Sequence, residues 1–370
     1  MKAITVSIFF LIFFYGCSQK QELKISQAPN TVLIQGSYKD LAGWESEDYY
    51  EVLTVFQESC KSSKTRKLYQ RSCGKAPYVS DAKTFLQEEF TPYKIVSDTE
   101  QEYGLLTGYY EPFLHASLQK TQKYSYPIYA KPKDLVSVDL SSIYPELKHY
   151  RLRGRLQGDK LVPYYTRQKS KELGLNAEVI CYTDSKIDRF FLEIQGSGRV
   201  LLDDNSTMFI GFSNQNGHKY RAIGKYLVSI GALSLEEVSL QSIRAWLEAN
   251  PSRLDEVLNY NNSMVFFEQR DQSATGSLGL ELTPKRSVAV DRRFIPLGSM
   301  LYLEAFSKEQ PAQEQGSFKR VVFAQDTGGA IKGSLRADLF LGSGESALDI
   351  AGHLKSALNL WILLPNEGRN

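Results

Sequence analysis

The chain has 370 residues, of which 42% are hydrophobic and 23% charged. This composition is typical of globular proteins and excludes a disordered, fibrous or membrane-embedded class. One or two domains are expected, because a single core stops growing at roughly 250–300 residues. The formal net charge of +2 excludes electrostatic attraction as the basis of partner choice. No basic block or aromatic-basic stripe occurs, so no nucleic-acid partner is predicted.

The first residues, MKAITVSIFFLIFFYG, have one positive charge and an apolar run over 3–16. That run is shorter than the roughly 20 residues of a membrane-spanning helix, so a signal peptide is predicted over 1–16. Cys17 follows in a setting similar to a bacterial lipoprotein signal. We therefore expect a lipid on Cys17 and a tether without packed structure over 17–35. The alternative is a plain secretory signal in which Cys17 has no role.

Three further cysteines follow the signal segment. In an exported protein Cys60 and Cys73 could form a disulfide that closes a short loop, and two free thiols are the equal alternative. Cys181 is expected to be buried as a small hydrophobic residue. The histidines have no metal-ligand spacing, so neither a metal nor another cofactor is predicted. These residues are His115, His149, His218 and His353.

Residues 44–92 have helical spacing, and Ser80 and Asp81 can cap the second helix of this region. From about 100 to 212, short runs rich in Tyr, Val, Ile and Phe alternate with Gly, Pro and Asn, which predicts strands. These runs include YGLLTGYYEPFL, YPIYAKP, LVPYYT, AEVICYT and RFFLEIQGSGRVLL. Because no long helical pattern separates them, they favour an antiparallel barrel or sandwich.

Helical spacing returns over 217–258, where Gly231 suits a helix end and Ser234 the next helix start. Strands then resume in SVAVDRRFIPLG, MLYLEAF, KRVVFAQDTGG, RADLFLG and LNLWILLP, with a short helix at roughly 345–354. The order predicts two β-rich domains with a cleft between them. Such clefts are favoured sites for extended ligands.

Three aspartates of the C-terminal block, Asp291, Asp326 and Asp338, stand at strand ends beside glycines. Carboxylates suit glycosidic cleavage, because the leaving oxygen needs a proton and an oxocarbenium-like transition state needs negative charge nearby. Apolar Leu339 and Phe340 could keep Asp338 protonated by raising its pKa. The alternative is that each aspartate forms an Asx turn, and local spacing does not decide between the two.

Other residues suit sugar binding. Tyr109 and Tyr110, with Glu111, present aromatic rings and a carboxylate, although plain β-core packing is the simpler reading of any one tyrosine. The segment from Gln195 through Ser197 to Gly198 is either a hairpin turn or a loop that reads sugar hydroxyls. No G-x-S-x-G elbow and no phosphate-binding glycine pattern occurs, which disfavours serine hydrolase and nucleotide-binding functions.

Taken together in this order, the motifs resemble the membrane-bound lytic murein transglycosylase A family over about 260 residues. The segments that carry the resemblance are TGYYEP, YPIYAKP, FFLEIQGSGRV, KYRAIGKYL, NNSMVFF, VAVDRRFIPLGSMLYLEA and FAQDTGGAIKGSLRADLFLGSG. The last part looks like the family's 3D domain, whose three aspartates correspond to Asp291, Asp326 and Asp338.

The resemblance implies a mainly β fold with helices, in which a second β-barrel is inserted into a double-psi β-barrel and a glycan groove lies between them. It places the double-psi barrel domain at 36–107 and 215–365 and the inserted β domain at 108–214. The helical stretch at 217–258 could belong to either.

The implied reaction is cleavage of the β-1,4 bond between N-acetylmuramic acid and N-acetylglucosamine of peptidoglycan, without water, to give 1,6-anhydromuramyl ends. Asp338 would act as the acid and then the base, Asp326 would orient or tune it, and Asp291 would be structural. Groove-lining roles would fall to Tyr109, Tyr110, Glu111, Gln195 and Ser197.

The partners implied are glycan strands and, through the lipid on Cys17, the periplasmic face of the outer membrane; partnership with other cell-wall enzymes stays open. Two alternatives remain. One is a two-carboxylate hydrolase of β-1,4 glycans, since double-psi barrels also host inverting endoglucanases. The other is a non-catalytic peptidoglycan-binding lipoprotein, against which the presence of Asp338 argues.

Overall fold

The computed structural model describes residues 22–24, 31–97, 103–271, 274–306 and 318–366. The predicted signal peptide and the predicted lipidation residue Cys17 lie outside this part of the chain. Within it, no helix is long and apolar enough to cross a membrane.

The N-terminal part forms a helical layer followed by a strand, and the helices predicted over 44–92 are confirmed. Asp81 caps the last of them, since its Oδ1 accepts a hydrogen bond of 3.1 Å from the Thr84 N–H. The elements are β1 Glu22–Lys24, β2 Thr31–Gln35, α1 Tyr49–Ser59, α2 Ser63–Leu68, α3 Gln70–Lys75, α4 Ala82–Glu89 and β3 Phe90–Ser97.

A disulfide joins Cys60, directly after α1, to Cys73 in α3. Of the two alternatives left open by the sequence, the bridged one is therefore found. The predicted burial of Cys181 is also confirmed, because its thiol is free and buried.

The prediction that the tether 17–35 has no packed structure is wrong for its last five residues, Thr31–Gln35. Strand β2 pairs antiparallel with β3 along its whole length, and Leu33 is only 2% exposed in the core. The reason lies in TVLIQ, where apolar and β-branched residues give a strand one face to bury.

The middle of the chain is mostly β. It contains β4 Gly104–Glu111, β5 Phe113–Ser117, β6 Tyr126–Tyr129, β7 Val136–Val138, β8 Leu152–Gln157, β9 Lys160–Pro163, α5 Arg167–Leu173, β10 Val179–Thr183, α6 Lys186–Gln195, β11 Ser197–Leu202 and β12 Thr207–Gln215.

The strand predicted in RFFLEIQGSGRVLL is wrong in its first half, because RFFLEIQ is the C-terminal part of α6 and only the second half is β11. Ser185 caps α6, and Gly196 ends it in the left-handed conformation at φ 84°. Gln195 and Ser197 therefore belong to neither a hairpin turn nor a loop; they are the last residue of the helix and the first of the strand.

The C-terminal part contains α7 Ile223–Ser229, α8 Leu240–Ala249, α9 Leu254–Tyr260, β13 Val265–Arg270, β14 Ser287–Val290, β15 Met300–Phe306, β16 Phe318–Asp326, β17 Arg336–Ser343, α10 Glu345–His353 and β18 Lys355–Pro365. Gly231 follows the end of α7, as predicted. The helix start predicted at Ser234 is wrong: Ser234 binds Glu237 in a separate turn, and α8 is capped by Ser239.

The largest sheet contains a closed ring of six strands, β18-β15-β16-β14-β17-β4, since β18 pairs with both β15 and β4. Strands β3, β2 and β1 extend this sheet from β18. The pairs β14–β16 and β17–β4 are parallel and the others in the ring are antiparallel. The helical layer packs on its outer face through Phe56, Tyr302 and Phe323.

A second six-stranded sheet has the order β13-β12-β11-β5-β10-β6. A bridge between Ala130 and Phe267 connects its two edges, and a smaller sheet contains β7, β8 and β9. Strand β13 at 265–270 pairs with β12, so this sheet extends past the boundary of 214 predicted for the inserted domain. The helices of 217–258 pack against α6 through Phe190, Leu227 and Val257, on the side of this second sheet.

Candidate active site

Four side chains form a row across adjacent strands of the ring. Asp338 on β17 is the register partner of Thr107 on β4 and of Ala289 on β14, and Ala289 is in turn the partner of Asp326 on β16. The Cα atoms of Asp326 and Asp338 are thus about 10 Å apart, the distance of two strand spacings. Because Ala289 has only a methyl group, the space between the carboxyl groups is not filled from the strand between them.

Asp338 is partly buried, and a relay of donors orients it. The Thr107 hydroxyl donates to Asp338 Oδ1, and Arg336 Nη2 donates to Thr107 Oγ1 at 2.7 Å. Among the described residues, no donor contacts Asp338 Oδ2. One oxygen of the carboxyl is therefore fixed by the protein and the other remains available to a substrate.

Asp326 lies at the end of β16 and accepts from several donors. Its Oδ1 receives the Ser277 N–H at 3.0 Å, the Ser277 hydroxyl at 2.9 Å and the Thr327 N–H at 2.8 Å. Its Oδ2 receives the Tyr109 hydroxyl at 3.1 Å. These donors favour the ionised form.

Burial raises the pKa of both carboxyls above the ordinary aspartate value. At Asp338 the negative charge of Asp326 raises the pKa further, while Arg336 and the Thr107 hydroxyl oppose the rise. At Asp326 only hydrogen-bond donors oppose it. Four hydrogen bonds from donors reach Asp326 and one reaches Asp338, so hydrogen bonding favours the ionised form more strongly at Asp326.

Asp291 has a different environment. It is 4% exposed and forms an ion pair with Arg293, and its Oδ2 accepts the Gly333 N–H at 3.0 Å. Burial acts to raise the pKa of Asp291, but Arg293 and the Gly333 N–H outweigh it and the net shift is downward. An anionic, fully bonded carboxylate of this kind fits a structural role.

The residues predicted to line a groove fall into two groups. Tyr109 reaches the row through its bond to Asp326, and burial together with Asp326 and Asp338 raises its pKa. Gln195 is partly buried and its Oε1 accepts the Tyr110 N–H at 3.2 Å, and Ser197 is partly buried at the start of β11. Tyr109 is itself buried, at 8% exposed. Tyr110 is 5% exposed and packs in the core, and Glu111 is 1% exposed, bonded to Arg199 and to the Ala274 N–H.

Two domain families match the chain: the MltA specific insert domain over residues 105–268 and the 3D domain over 286–364. The Vibrio cholerae membrane-bound lytic murein transglycosylase A is 30% identical over 84% of this chain and 78% of that protein. The Escherichia coli K12 protein of the same name is 31% identical over 71% of this chain, and the match spans 66% of its own length, just under two thirds.

The chain belongs to the membrane-bound lytic murein transglycosylase A family. The family resemblance predicted from the motifs is thereby confirmed. Among solved structures, MltA from Neisseria gonorrhoeae in its monoclinic form is 31% identical and superposes with a TM-score of 0.79 over 95% of this chain and 96% of that one. E. coli MltA with bound chitohexaose is 27% identical, with a TM-score of 0.60 over 85% and 90%. A mainly β fold with helices, close to that of MltA, is therefore established, whereas the double-psi connection stays a prediction.

Sequence reasoning missed several residues of this MltA-family site. Thr107 is the first residue of the motif TGYYEP, and Arg336 is two positions before Asp338. Neither residue has a local sequence pattern that distinguishes it as part of a site. Ala289 becomes recognisable only through strand pairing. Ser277 lies in a turn and becomes recognisable only through its hydrogen bonds to Asp326.

Proposed function

We propose that this chain is a peptidoglycan lytic transglycosylase that cleaves the β-1,4 bond between N-acetylmuramic acid and N-acetylglucosamine and leaves 1,6-anhydromuramyl ends. Family membership supports the reaction, and the E. coli relative with bound chitohexaose, a β-1,4-linked amino-sugar oligomer, supports glycan as the ligand. The observation that carries the catalytic assignment is Asp338, whose pKa is raised by burial and whose Oδ2 is unoccupied by any donor in the described part of the chain.

In the proposed first step, protonated Asp338 donates its proton to the glycosidic oxygen while the bond to the muramyl anomeric carbon breaks. The leaving sugar departs with that proton as a neutral alcohol. In the second step the muramyl 6-hydroxyl attacks the anomeric carbon, and the Asp338 carboxylate accepts its proton. The acid form is restored and no water is consumed.

Asp326 would hold the negative charge of the pair and favour the oxocarbenium-like transition state electrostatically. Tyr109, whose hydroxyl donates to Asp326, would position it. Gln195 and Ser197 are partly buried and would contact the glycan at the start of the second sheet. Tyr110 and Glu111 would support this surface from beneath, since both are buried. Asp291 would be structural.

The two sheets would correspond to a double-psi barrel domain and an inserted β domain, with the glycan between them. The relatives are named membrane-bound, which supports an envelope location. The apolar segment followed by Cys17 supports a lipid anchor in the outer membrane, facing the periplasm.

Replacing Asp338 with Asn tests this function. Purified sacculi are treated with each protein, and the soluble muropeptides are analysed by mass spectrometry. The wild type is expected to release anhydro ends and Asp338→Asn to release at least about a thousandfold less while still binding sacculi. The matched control is Asp204→Asn, because Asp204 only caps an exposed turn at Ser206.

Each alternative predicts a different product. Reducing ends that incorporate ¹⁸O from labelled water would establish the two-carboxylate hydrolase, for which the Asp326 and Asp338 pair would supply the base and the acid. Binding of sacculi without release by the wild type would establish the non-catalytic lipoprotein. Unchanged release by Asp338→Asn would overturn the catalytic assignment.

A further inference from the structure

A group of four basic side chains borders the Asp326 end of the catalytic row. Arg151 and Arg153 come from the side of the small sheet, just before and within β8, whereas Arg292 and Lys332 come from loops of the ring. We call these four residues the basic rim. Arg151 Nη2 donates to Thr327 Oγ1 at 3.4 Å. This bond connects the small sheet to the ring directly beside Asp326.

The rim is held in place by polar and aromatic contacts, with its charges left unneutralised. Arg153 Nε donates to Asn214 Oδ1 at 2.6 Å, and the Arg151 guanidinium lies 6.0 Å from the ring centre of Phe212. Asp291, bonded to the Gly333 N–H, fastens the loop of Arg292 to the loop of Lys332. Within the described residues, no member of the rim has an ion-pair partner, although the neighbouring Arg293 is paired with Asp291.

The four charges act on one another. Loss of hydration lowers the pKa of Arg151 first, and Arg292 and Arg153 lower it further while Asp326 opposes the shift. The pKa of Lys332 is likewise lowered by burial and then by Arg293, Arg151 and Arg292, against Asp291. Mutual repulsion of this kind is relieved by a bound anion, and guanidinium groups pair with carboxylates in a bidentate manner.

We propose that the basic rim binds carboxylates on the muramyl residue of the substrate: those of the stem peptide attached to its lactyl group or, where the peptide is absent, that of the lactyl group itself. This inference rests on the proposed function and adds to it a reason why the enzyme would distinguish peptidoglycan from an uncharged glycan. A neutral oligomer such as chitohexaose has no group for the rim to bind.

The test uses Arg151→Ala combined with Lys332→Ala in the full chain, with three ligands. Intact peptidoglycan has stem-peptide carboxylates, amidase-treated glycan strands have only lactyl carboxylates, and chitohexaose has none. We expect kcat/KM on intact peptidoglycan to fall about tenfold, mainly through KM, because two charge contacts are lost. The Kd for chitohexaose should change less than about twofold. Added salt should raise KM for the wild type and much less for the variant.

Two controls accompany the variant. Arg151→Lys with Lys332→Arg retains both charges and should keep most of the activity. Arg66→Ala with Lys67→Ala removes two exposed charges from α2, in the helical layer that packs on the outer face of the ring, and should leave every measurement unchanged.

The outcomes separate cleanly. A loss confined to intact peptidoglycan supports the proposal with the stem peptide as the source of the carboxylate, and a loss confined to the amidase-treated strands supports it with the lactyl group as the source. A loss on both supports it with the stem peptide as the source in the intact polymer and the lactyl group in the treated strands. Equal weakening of chitohexaose binding, or no loss on any substrate, overturns it. If the wild type forms no anhydro products at all, the proposed function fails, and that result is independent of the rim.

Discussion

Thr107 links a fixed positive charge to the carboxyl that would do the chemistry. Its oxygen accepts from Arg336 Nη2, so its hydroxyl hydrogen is directed at Asp338 Oδ1. The relay fixes the rotation of the carboxyl through Oδ1, and within the described residues no donor contacts Oδ2. Both Thr107 and Arg336 lower the pKa of Asp338, against the larger effect of burial, so they limit how basic this carboxyl becomes. Thr107 is thus a positioning residue.

Replacing Thr107 with Val removes the hydroxyl but keeps the shape of the side chain. Loss of a hydrogen bond to a charged group costs about 1.5–3 kcal/mol, so kcat should fall roughly ten- to a hundredfold with little change in KM. The pKa of Asp338 should rise, because a contact that lowers it is gone. Since the first step needs the protonated acid, the alkaline limb of the pH–rate profile should move to higher pH.

The control for this change is Thr107→Ser, which retains the hydroxyl and should keep the wild-type pH profile. A Val variant that loses activity without any shift of the alkaline limb would show that Thr107 acts only through the fold. Both profiles are measured by turbidity loss of sacculi at constant ionic strength.

At the scale of elements, runs of β-branched and aromatic residues predicted strands well, including strands that are buried on both faces. Strand β16 is an example: Val321 and Phe323 face the helical layer, and Val322 and Ala324 face the ring interior. Composition misled at α6, because its aromatic residues favour strands locally. Their spacing is that of an amphipathic helix, whose apolar face packs against the helices of 217–258. The three aspartates were singled out by the motifs of the family resemblance, and their roles stay predictions. Thr107 and Ala289 depend on strand register, and Ser277 on a turn that meets Asp326, and no local pattern encodes either.

Helix α6 owes its position to a buried ion pair that the sequence did not reveal. Arg167 in α5 binds Glu193 in a bidentate manner, at 2.9 and 2.7 Å, and also donates to the carbonyl oxygens of Asn261 and Ser263. Glu193 in turn accepts the Val265 N–H at 3.1 Å. The pair therefore joins α5, α6 and the start of β13, and both side chains are at most 6% exposed.

Arg167→Met should lower the free energy of unfolding by about 3–5 kcal/mol, because Glu193 is left charged and buried without its partner. Adding Glu193→Gln should restore at least about 1 kcal/mol, since the amide can still accept the Val265 N–H without a buried charge. Urea unfolding measures all three proteins. Lys171→Met is the control: it breaks the exposed Lys171–Asp255 pair from the same helix and should cost less than about 1 kcal/mol. A double variant less stable than Arg167→Met would contradict this account.

At the scale of the whole molecule, the chain passes between the two six-stranded sheets at two adjacent places. It leaves the ring at Pro112, between β4 and β5, and returns after β13 near Ala274. Glu111 joins these crossings, because its carboxylate binds Arg199 in β11 and accepts the Ala274 N–H at 2.9 Å. Glu111, which the sequence suggested as a sugar ligand, therefore joins the two sheets through these two contacts.

The predicted lipid on Cys17 concerns how this folded body meets its substrate in the cell. Wild-type protein expressed in bacteria should incorporate radioactive palmitate and sediment with the membrane fraction, because acyl chains contribute about 0.8 kcal/mol per buried methylene group. Cys17→Ala should be unlabelled and soluble after cell disruption, while the purified variant digests sacculi at the wild-type rate, since the folded residues of the site are unchanged. Cys181→Ala is the control, because this buried thiol has no part in anchoring and the label should remain. Wild-type protein that is exported but neither labelled nor sedimented would favour the plain secretory signal.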